Sequence, residues 1–389
     1  MVLSFMVYWP RHTPTLTVLA VMLALHFVTW RWLMAAQAVR RAMWRKLLVT
    51  LAGASVVALL VTGFSLGFAR VLMVLPPGSW IAWLRAAALG WGLLFLGLFL
   101  AIWSWRRAPR FDPGRRRLLR AAGGAALAAP VAAGIVGILV ARGGLEARQV
   151  DIHLDGLPAD LDGLRLAQLT DIHLSPFLRI GDLARAVDMA NEFRAHIALV
   201  TGDLITDRGD PLDACLRELA RLRATDGIYG CMGNHESYAR AEPYCARHGR
   251  RLGIDFLRGE SRLLRFGSAS MNLAGVDHQS LGGHYLVGAE RLRREGSFNI
   301  LLSHNPDVFP VAARQGYTLT VSGHTHGGQL ALEAPGFSLS VANLFTPYVR
   351  GLYRLGHAAI YVSRGIGTVG IPVRIGAPPE VTLIRLCAS

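Results

Sequence analysis

Thr318-Leu319-Thr320-Val321-Ser322-Gly323-His324-Thr325-His326-Gly327-Gly328 is a short β-branched, apolar run that stops abruptly at a cluster of glycine and histidine. Such a run reads as a buried strand, and the cluster as the loop at its carboxyl end. The same arrangement occurs four times upstream. Leu164–Leu169 is followed by Asp171-Ile172-His173, and Ile197–Thr201 by Gly202-Asp203, with Asp207 four residues on. Gly227–Met232 is followed by Gly233-Asn234-His235-Glu236, and Asn299–Leu302 by Ser303-His304-Asn305. Gly181–Arg194 and Pro211–Arg223 read as helices, with Pro211 in a first turn and Asp182 or Asp210 as caps. Glu380–Leu386 reads as a closing strand. The alternation predicts an α/β fold rich in strand.

Loops at the carboxyl ends of strands form the ligand crevice of such sheets, so five polar clusters placed there predict one site. Its donors are Asp171, His173, Asp203, Asn234, His304, His324 and His326, all nitrogen or oxygen and none a thiolate. One metal takes four to six ligands, so seven donors suit two divalent ions sharing a bridge. Mixed imidazole and carboxylate favours Mn, Fe or Zn over Ca or Mg. Two ions about 3.5–4 Å apart clamp the attacking and leaving oxygens of a displacement at phosphorus and acidify water into the nucleophile. Asp203 is the candidate bridging carboxylate. Gly202, Gly233 and Gly323 precede ligands where the backbone must bend sharply or approach a ligand closely.

The motifs D-x-H, G-D-x-x-x-D, G-N-H-E, an isolated S-H and G-H-T-H-G-G, in that order over roughly residues 163–330, resemble those of the calcineurin-like metallophosphoesterases. With the apolar N-terminal part described below, the arrangement looks most like the membrane-anchored YaeI/YkuE-type phosphodiesterases. The resemblance implies a four-layer α/β/β/α sandwich, with one metal on Asp171, His173, Asp203 and His326 and the other on Asp203, Asn234, His304 and His324. It further implies that Asn234 touches the phosphate, and that His235 is the general acid or stabilises the transition-state charge.

The chain is 52% hydrophobic and 17% charged, below the usual charged share of about 25%. Its formal +15 is confined to the first part: residues 1–150 hold 17 Lys+Arg against 2 Asp+Glu, and residues 151–389 hold 24 of each. The excess lies between apolar stretches, which is the positive-inside pattern of a membrane protein and argues against a nucleic-acid binder. Four stretches without Lys, Arg, Asp or Glu, residues 13–30, 47–69, 86–105 and 121–141, approach the ~20 residues that cross a bilayer. Trp30, Trp32, Trp80, Trp83, Trp103 and Trp105 lie near their ends. The basic first and third connections predict cytoplasmic loops, which place the catalytic half outside the cytoplasm on an inner (plasma) membrane. Arg115-Arg116-Arg117-Leu118-Leu119 also resembles a twin-arginine signal, though a basic helix flank is the simpler reading. Uncharged spans argue against a transporter. Cys215, Cys231, Cys245 and Cys387 form no CxxC pair and read as buried thiols.

The expectation is therefore a membrane region over residues 1–148 with about four helices, and over residues 149–389 a two-metal phosphoesterase, a phosphodiesterase by preference. Its partners are membrane lipids and phosphate esters, lipid-linked ones favoured, with no obligate protein partner evident. The alternative is a non-catalytic, metal-dependent membrane binding module. His153, His196, His248, His278, His284 and His357 read as structural or exposed, with Asp277-His278, after the apolar run 273–276, as an alternative lining of the substrate cleft; Asp207 reads as a supporting or capping group, and Glu236 as orienting its neighbours. Phe345-Thr346-Pro347-Tyr348 with Leu352 and Tyr353 reads as loop packing in preference to a bilayer-facing lid.

Overall fold

The structure, a computed structural model, describes residues 132–279, 284–334 and 337–389, with residues 23–32 and scattered positions between 53 and 103. It divides into two units, Met1–Val136 and Gly137–Ser389. In the first, residues 23–32 are helical, Trp32 stacks on Phe99 at 5.2 Å, and the Trp91 indole donates to the Ser55 hydroxyl at 3.0 Å. The four predicted spans lie largely outside the described residues. Among the described residues no helix is long and apolar enough to cross a membrane.

The second unit contains two six-stranded sheets. The first has the order β1 (Glu146–Leu154), β14 (Glu380–Ala388), β2 (Arg165–Leu169), β3 (Ile197–Val200), β4 (Ile228–Gly230), β5 (Ile254–Phe256). The second has the order β12 (Gly351–Leu355), β13 (Ala358–Val362), β9 (Leu319–Ser322), β8 (Phe298–Leu302), β7 (Ala269–Gly275), β6 (Glu260–Phe266). A separate antiparallel pair joins β10 (Ala331–Ala334) to β11 (Phe337–Ser340). The strands β2 to β5 are parallel, and so are β7, β8, β9 and β13. In the middle of the sheets β3, β8, β9 and β13 are buried at every position, which is why they appear in sequence as unbroken apolar runs rather than alternating ones. The edge strand β6 alternates and carries Arg262 and Arg265, a composition that discourages pairing with another chain.

Successive side chains of a strand point to opposite faces, and this sets the layers. Ile197 and Leu199 of β3 meet Leu273, Ile300, Leu302 and Val321 in a core between the sheets. Ala198 and Val200 face outward, against Leu183 and Val187 of α1 (Ile180–Glu192), Leu216 of α2 (Leu212–Leu219) and Cys245 of α4 (Glu242–Arg251). The other sheet's outer face packs Ala274 and Leu301 against Ala312 of α5 (Phe309–Arg314). Helix, sheet, sheet and helix are thus stacked in that order. The short helix α3 (Asn234–Ala239) follows β4 directly.

The predicted strands and helices are present within a few residues of their expected bounds. Two capping details differ. Asp182 lies in the first turn of α1, where its carboxylate accepts the Arg179 amide at 3.1 Å. Asp210 does not cap α2: its Oδ2 accepts the amides of Thr206 and Asp207 at 3.0 and 2.8 Å. Among the described residues the four cysteines are free, and Cys215, Cys231 and Cys245 are buried.

Candidate active site

Because β2, β3 and β4 run parallel in one sheet and β8 and β9 parallel in the other, their carboxyl ends emerge on one side. The five polar clusters meet there. Asp203 lies at the centre. Its Oδ2 is 3.0 Å from His304 Nε2 and 3.5 Å from His173 Nε2. Asp171 Oδ1 is 3.4 Å from His326 Nε2 and 4.0 Å from His304 Nε2, and the Nε2 atoms of His173 and His326 are 3.1 Å apart. Three donor groups result, each with ligand atoms within 4.8 Å of one another: Asp171, His173 and His326; His173, Asp203 and His235; and Asp203, His304 and His324.

The backbone is bent to make this convergence. Asp171, His173, Asp203, His324 and His326 all have φ between 48° and 78°, a left-handed conformation that Asp and His tolerate better than most side chains and that clusters at functional sites. Glycines let the loops close together. A Cβ on Gly233 would lie 2.1 Å from Asp203 Oδ1, and one on Gly323 would lie 2.2 Å from Asp171 Oδ2. Glu236 is wholly buried, and its carboxylate accepts the amides of Asp203, Gly233 and Leu204 at 2.9, 2.8 and 2.7 Å. The Asp171 carboxylate accepts the His324 amide at 3.0 Å, tying the first cluster to the last.

Ring tautomers follow from the outer contacts. His304 donates from Nδ1 to the Thr201 carbonyl at 2.8 Å, so Nε2 is the ring atom turned toward the two carboxylates. Although His304 Nε2 is 3.0 Å from Asp203, the two are not aligned as a hydrogen bond. His235 donates from Nδ1 to the Thr206 carbonyl at 2.5 Å, its amide donates to Asp203 Oδ1 at 2.9 Å, and its ring stands edge-on to His173 at 4.6 Å. Thr206 also contacts His173 Nδ1 through its hydroxyl at 3.2 Å. Asn234 Oδ1 is buried without a hydrogen-bond partner.

The electrostatics have the same sense. Burial, then the charge of neighbouring His304, pushes His324 down to about 3. Burial, with His173 and Arg374 nearby, pulls His326 well below the usual imidazole range. Both rings therefore stay neutral with lone pairs available. Burial also acts to lower His304, but Asp203 and Asp171 outweigh it and hold it up at about 10. Burial raises Asp171, while Asp203 is held well below the usual carboxylate range because His304 and His235 outweigh its burial. A buried orphan amide oxygen, an imidazole nitrogen without a hydrogen bond and two buried carboxylates fit divalent cations, which would satisfy all of them at once and displace the His304 proton.

Six of the seven sequence-predicted donors and His235 thus fall in these groups, and Asn234, the seventh, directly precedes His235 in the same loop. Asp207 contributes an amide to Asp210. Three supporting residues, Gly365, Gly367 and Arg374, were not singled out from sequence. After β13 comes Ser363-Arg364-Gly365-Ile366-Gly367, where the Gly367 amide donates to the Asp171 carbonyl at 2.7 Å and a Cβ on Gly365 would meet Asp171 Cβ at 2.5 Å. A strand ending in glycines is the same signal that marked three of the other five loops. Arg374, wholly buried, donates to the carbonyls of Gly365, Gly367, Ala377 and His326 and to His326 Nδ1. His278, expected to be structural or exposed, has its ring 5.9 Å from that of His324 and 6.5 Å from that of His304. Burial, then the charge of His304, lowers it to about 4.

Residues 164–328 match the family model of the calcineurin-like phosphoesterases. The chain is 33% identical over 252 residues to the transmembrane protein with metallophosphoesterase domain of Danio rerio, covering 61% of this chain and 56% of that protein. It is 30% identical over 238 residues to the uncharacterized metallophosphoesterase YkuE of Bacillus subtilis, covering 59% of this chain and 81% of that one. It is 29% identical over 252 residues to an uncharacterized metallophosphoesterase of Campylobacter jejuni, covering 62% and 63%.

Proposed function

We propose, from the premise that this chain belongs to the calcineurin-like metallophosphoesterase family, that it hydrolyses phosphodiesters with two divalent metal ions while anchored in a membrane. The observation that carries the reading is the position of Asp203, whose carboxylate is shared between the donor groups of His173 and of His304 with His324. Asp171, His173, Asp203 and His326 would hold one ion. Asp203, Asn234, His304 and His324 would hold the other. Manganese, iron or zinc suits this donor set. When bound, such a pair supplies Lewis-acid polarisation of the phosphate and acidifies water into a nucleophile.

The rest falls to the chain's own side chains. Glu236 and the glycines fix the carboxylates. Asn234, at the N-terminus of α3, would contact the phosphate. As the ester P–O bond breaks, His235 would pass a proton from Nε2 to the leaving oxygen, its Nδ1 being held by the Thr206 carbonyl.

Anchoring is supported by the uncharged stretches between basic connections and by the exposed apolar side chains Leu23, Phe27, Leu96, Leu100 and Trp103 of the first unit. The name of the Danio rerio relative, a transmembrane protein, agrees with it. The charge asymmetry supports a multi-pass topology with the catalytic unit outside the cytoplasm, and an anchored site favours phosphate esters at the bilayer, lipid-linked ones included.

The test is hydrolysis of bis(p-nitrophenyl) phosphate by the detergent-solubilised chain with manganese. Activity in the wild type is expected, together with a loss of roughly 10²–10⁴-fold in His235→Ala on a dialkyl phosphodiester, whose leaving alkoxide needs a proton, and a smaller loss on the aryl ester. No activity in the wild type would leave a metal-dependent binding module as the better reading, and full activity of His235→Ala on the dialkyl ester would remove the acid assignment.

A further inference from the structure

Immediately after the last ligand turn the chain loses its charge. Residues 330–349 contain one charged side chain, Glu333. This segment forms β10, β11 and the helical turn Val341–Leu344, and several of its large apolar side chains lie at the surface. Leu344 is 77% and Phe345 67% exposed, and Leu332, Leu339 and Val341 are exposed too. Loop packing, the sequence expectation for Phe345, applies instead to Tyr348, whose ring meets Phe309 and Tyr353 at 5.6 and 5.3 Å. Five large apolar side chains exposed within one short segment mark an interaction surface rather than an ordinary exterior.

What it faces is indicated by where the chain enters the unit. Helical residues 137–143 lead in from the apolar N-terminal part, and the Gly137 carbonyl accepts the Arg374 amide at 2.9 Å. The adjacent Ile375 closes the base of the β10–β11 ribbon: its carbonyl accepts the Ala331 amide at 2.8 Å, and its amide donates to the Gln329 carbonyl at 2.9 Å. One short segment, Arg374–Ile375, therefore touches both the entering helix and the ribbon. Leu139 of that helix is itself 65% exposed. The same base of the ribbon adjoins the site. A Cβ on Gly328 would lie 2.3 Å from Ser340 Cβ, and the Thr325 hydroxyl donates to the Val349 carbonyl at 2.5 Å.

We propose that Leu139, Leu332, Leu339, Val341, Leu344 and Phe345 form a surface that enters the interfacial layer of a phospholipid bilayer, beside the turn that carries His324 and His326. Exposed apolar side chains of this kind suit the headgroup–acyl boundary. A phosphodiester whose alcohol stays in the membrane would then reach the metal ligands without leaving the lipid. The activity arm of the test rests on the phosphodiesterase reading; the binding arm does not.

The full chain is reconstituted in phosphatidylcholine nanodiscs, and Leu344→Cys is labelled with an environment-sensitive nitrobenzoxadiazole. Blue-shifted emission quenched by spin-labelled lipid is expected. Emission typical of water, or a label shielded from aqueous quencher yet untouched by spin-labelled lipid, would overturn the proposal, the second because protein would then cover the patch. In the same discs, Leu344→Asp/Phe345→Asp is expected to cut hydrolysis of phosphatidyl-p-nitrophenol at least tenfold and to keep that of soluble bis(p-nitrophenyl) phosphate within twofold. Equal loss on both substrates, or on neither, would overturn it. If the wild type cleaves neither substrate, the phosphodiesterase reading fails while the fluorescence arm still decides the proposal.

Discussion

The buried carboxylate of Glu236 accepts the backbone amide of Asp203 at 2.9 Å, and so fixes the residue that both donor groups share from behind. The same carboxylate takes the amides of Gly233 and Leu204, so three loop amides depend on one side chain. Glu236→Gln keeps the shape but turns one acceptor into a donor facing N–H groups. A buried amide left unpaired costs about 1–3 kcal/mol. The expected outcome is a clear drop in thermal stability together with weaker metal retention, read by unfolding curves and by metal content after dialysis. A variant as stable and as metal-rich as wild type would show that these amides need no carboxylate.

The shared position of Asp203 makes its removal different in kind from that of a ligand on one side. Asp203→Asn should deplete both ions and lower turnover by at least roughly a hundredfold, since several kcal/mol of charge stabilisation are lost. His326→Ala touches only the group of Asp171 and His173 and should leave metal content nearer one ion per chain. Metal analysis alongside hydrolysis of bis(p-nitrophenyl) phosphate separates the two. Equal metal content in both variants would contradict a bridging carboxylate.

Two glycines with nearly equal backbone angles separate strain from crowding. Gly156 has φ +69° and nothing within 4 Å of an added Cβ; Gly365 has φ +68° and Asp171 Cβ at 2.5 Å. Gly156→Ala should cost about 1 kcal/mol, the left-handed strain alone. Gly365→Ala should add about 1–3 kcal/mol for overpacking and reduce activity by displacing Asp171. Denaturant unfolding of both variants gives the difference directly.

The ligand residues were legible because each signal is local: an apolar run and the polar cluster that ends it lie within about ten residues of one another, and the central strands lack the alternation that would have blurred them. What escaped depends on contacts distant in sequence. The strand β1, Glu-Ala-Arg-Gln-Val-Asp-Ile-His-Leu, is mostly exposed and is a strand because it pairs along its length with β14. Arg374 would be read as a solvated cation; it is buried because four carbonyls from separate turns close around it. The left-handed backbone at five ligands and the approach of His278 follow from the meeting of two sheets, which no single stretch encodes.

Acid should destabilise the metal-free unit from pH 7 downward, and the direction comes from two imidazoles. Burial, then His304, depresses His278 to about 4 and His324 to about 3, whereas an unfolded histidine titrates near 6.5. A group whose folded pKa is depressed in this way contributes fully above the unfolded value and loses that contribution as pH falls below it, because the unfolded chain takes up protons that the folded one refuses. His304, at about 10, binds its proton in the folded state throughout this range and keeps its contribution. The expected loss between pH 7 and pH 4.5 is on the order of 2 kcal/mol for each of His278 and His324. Replacing His278 by Asn should remove its share, flattening the stability curve over that interval in chelator-treated protein. An unchanged slope would mean that His278 is solvated in the folded chain and not packed against His304 and His324.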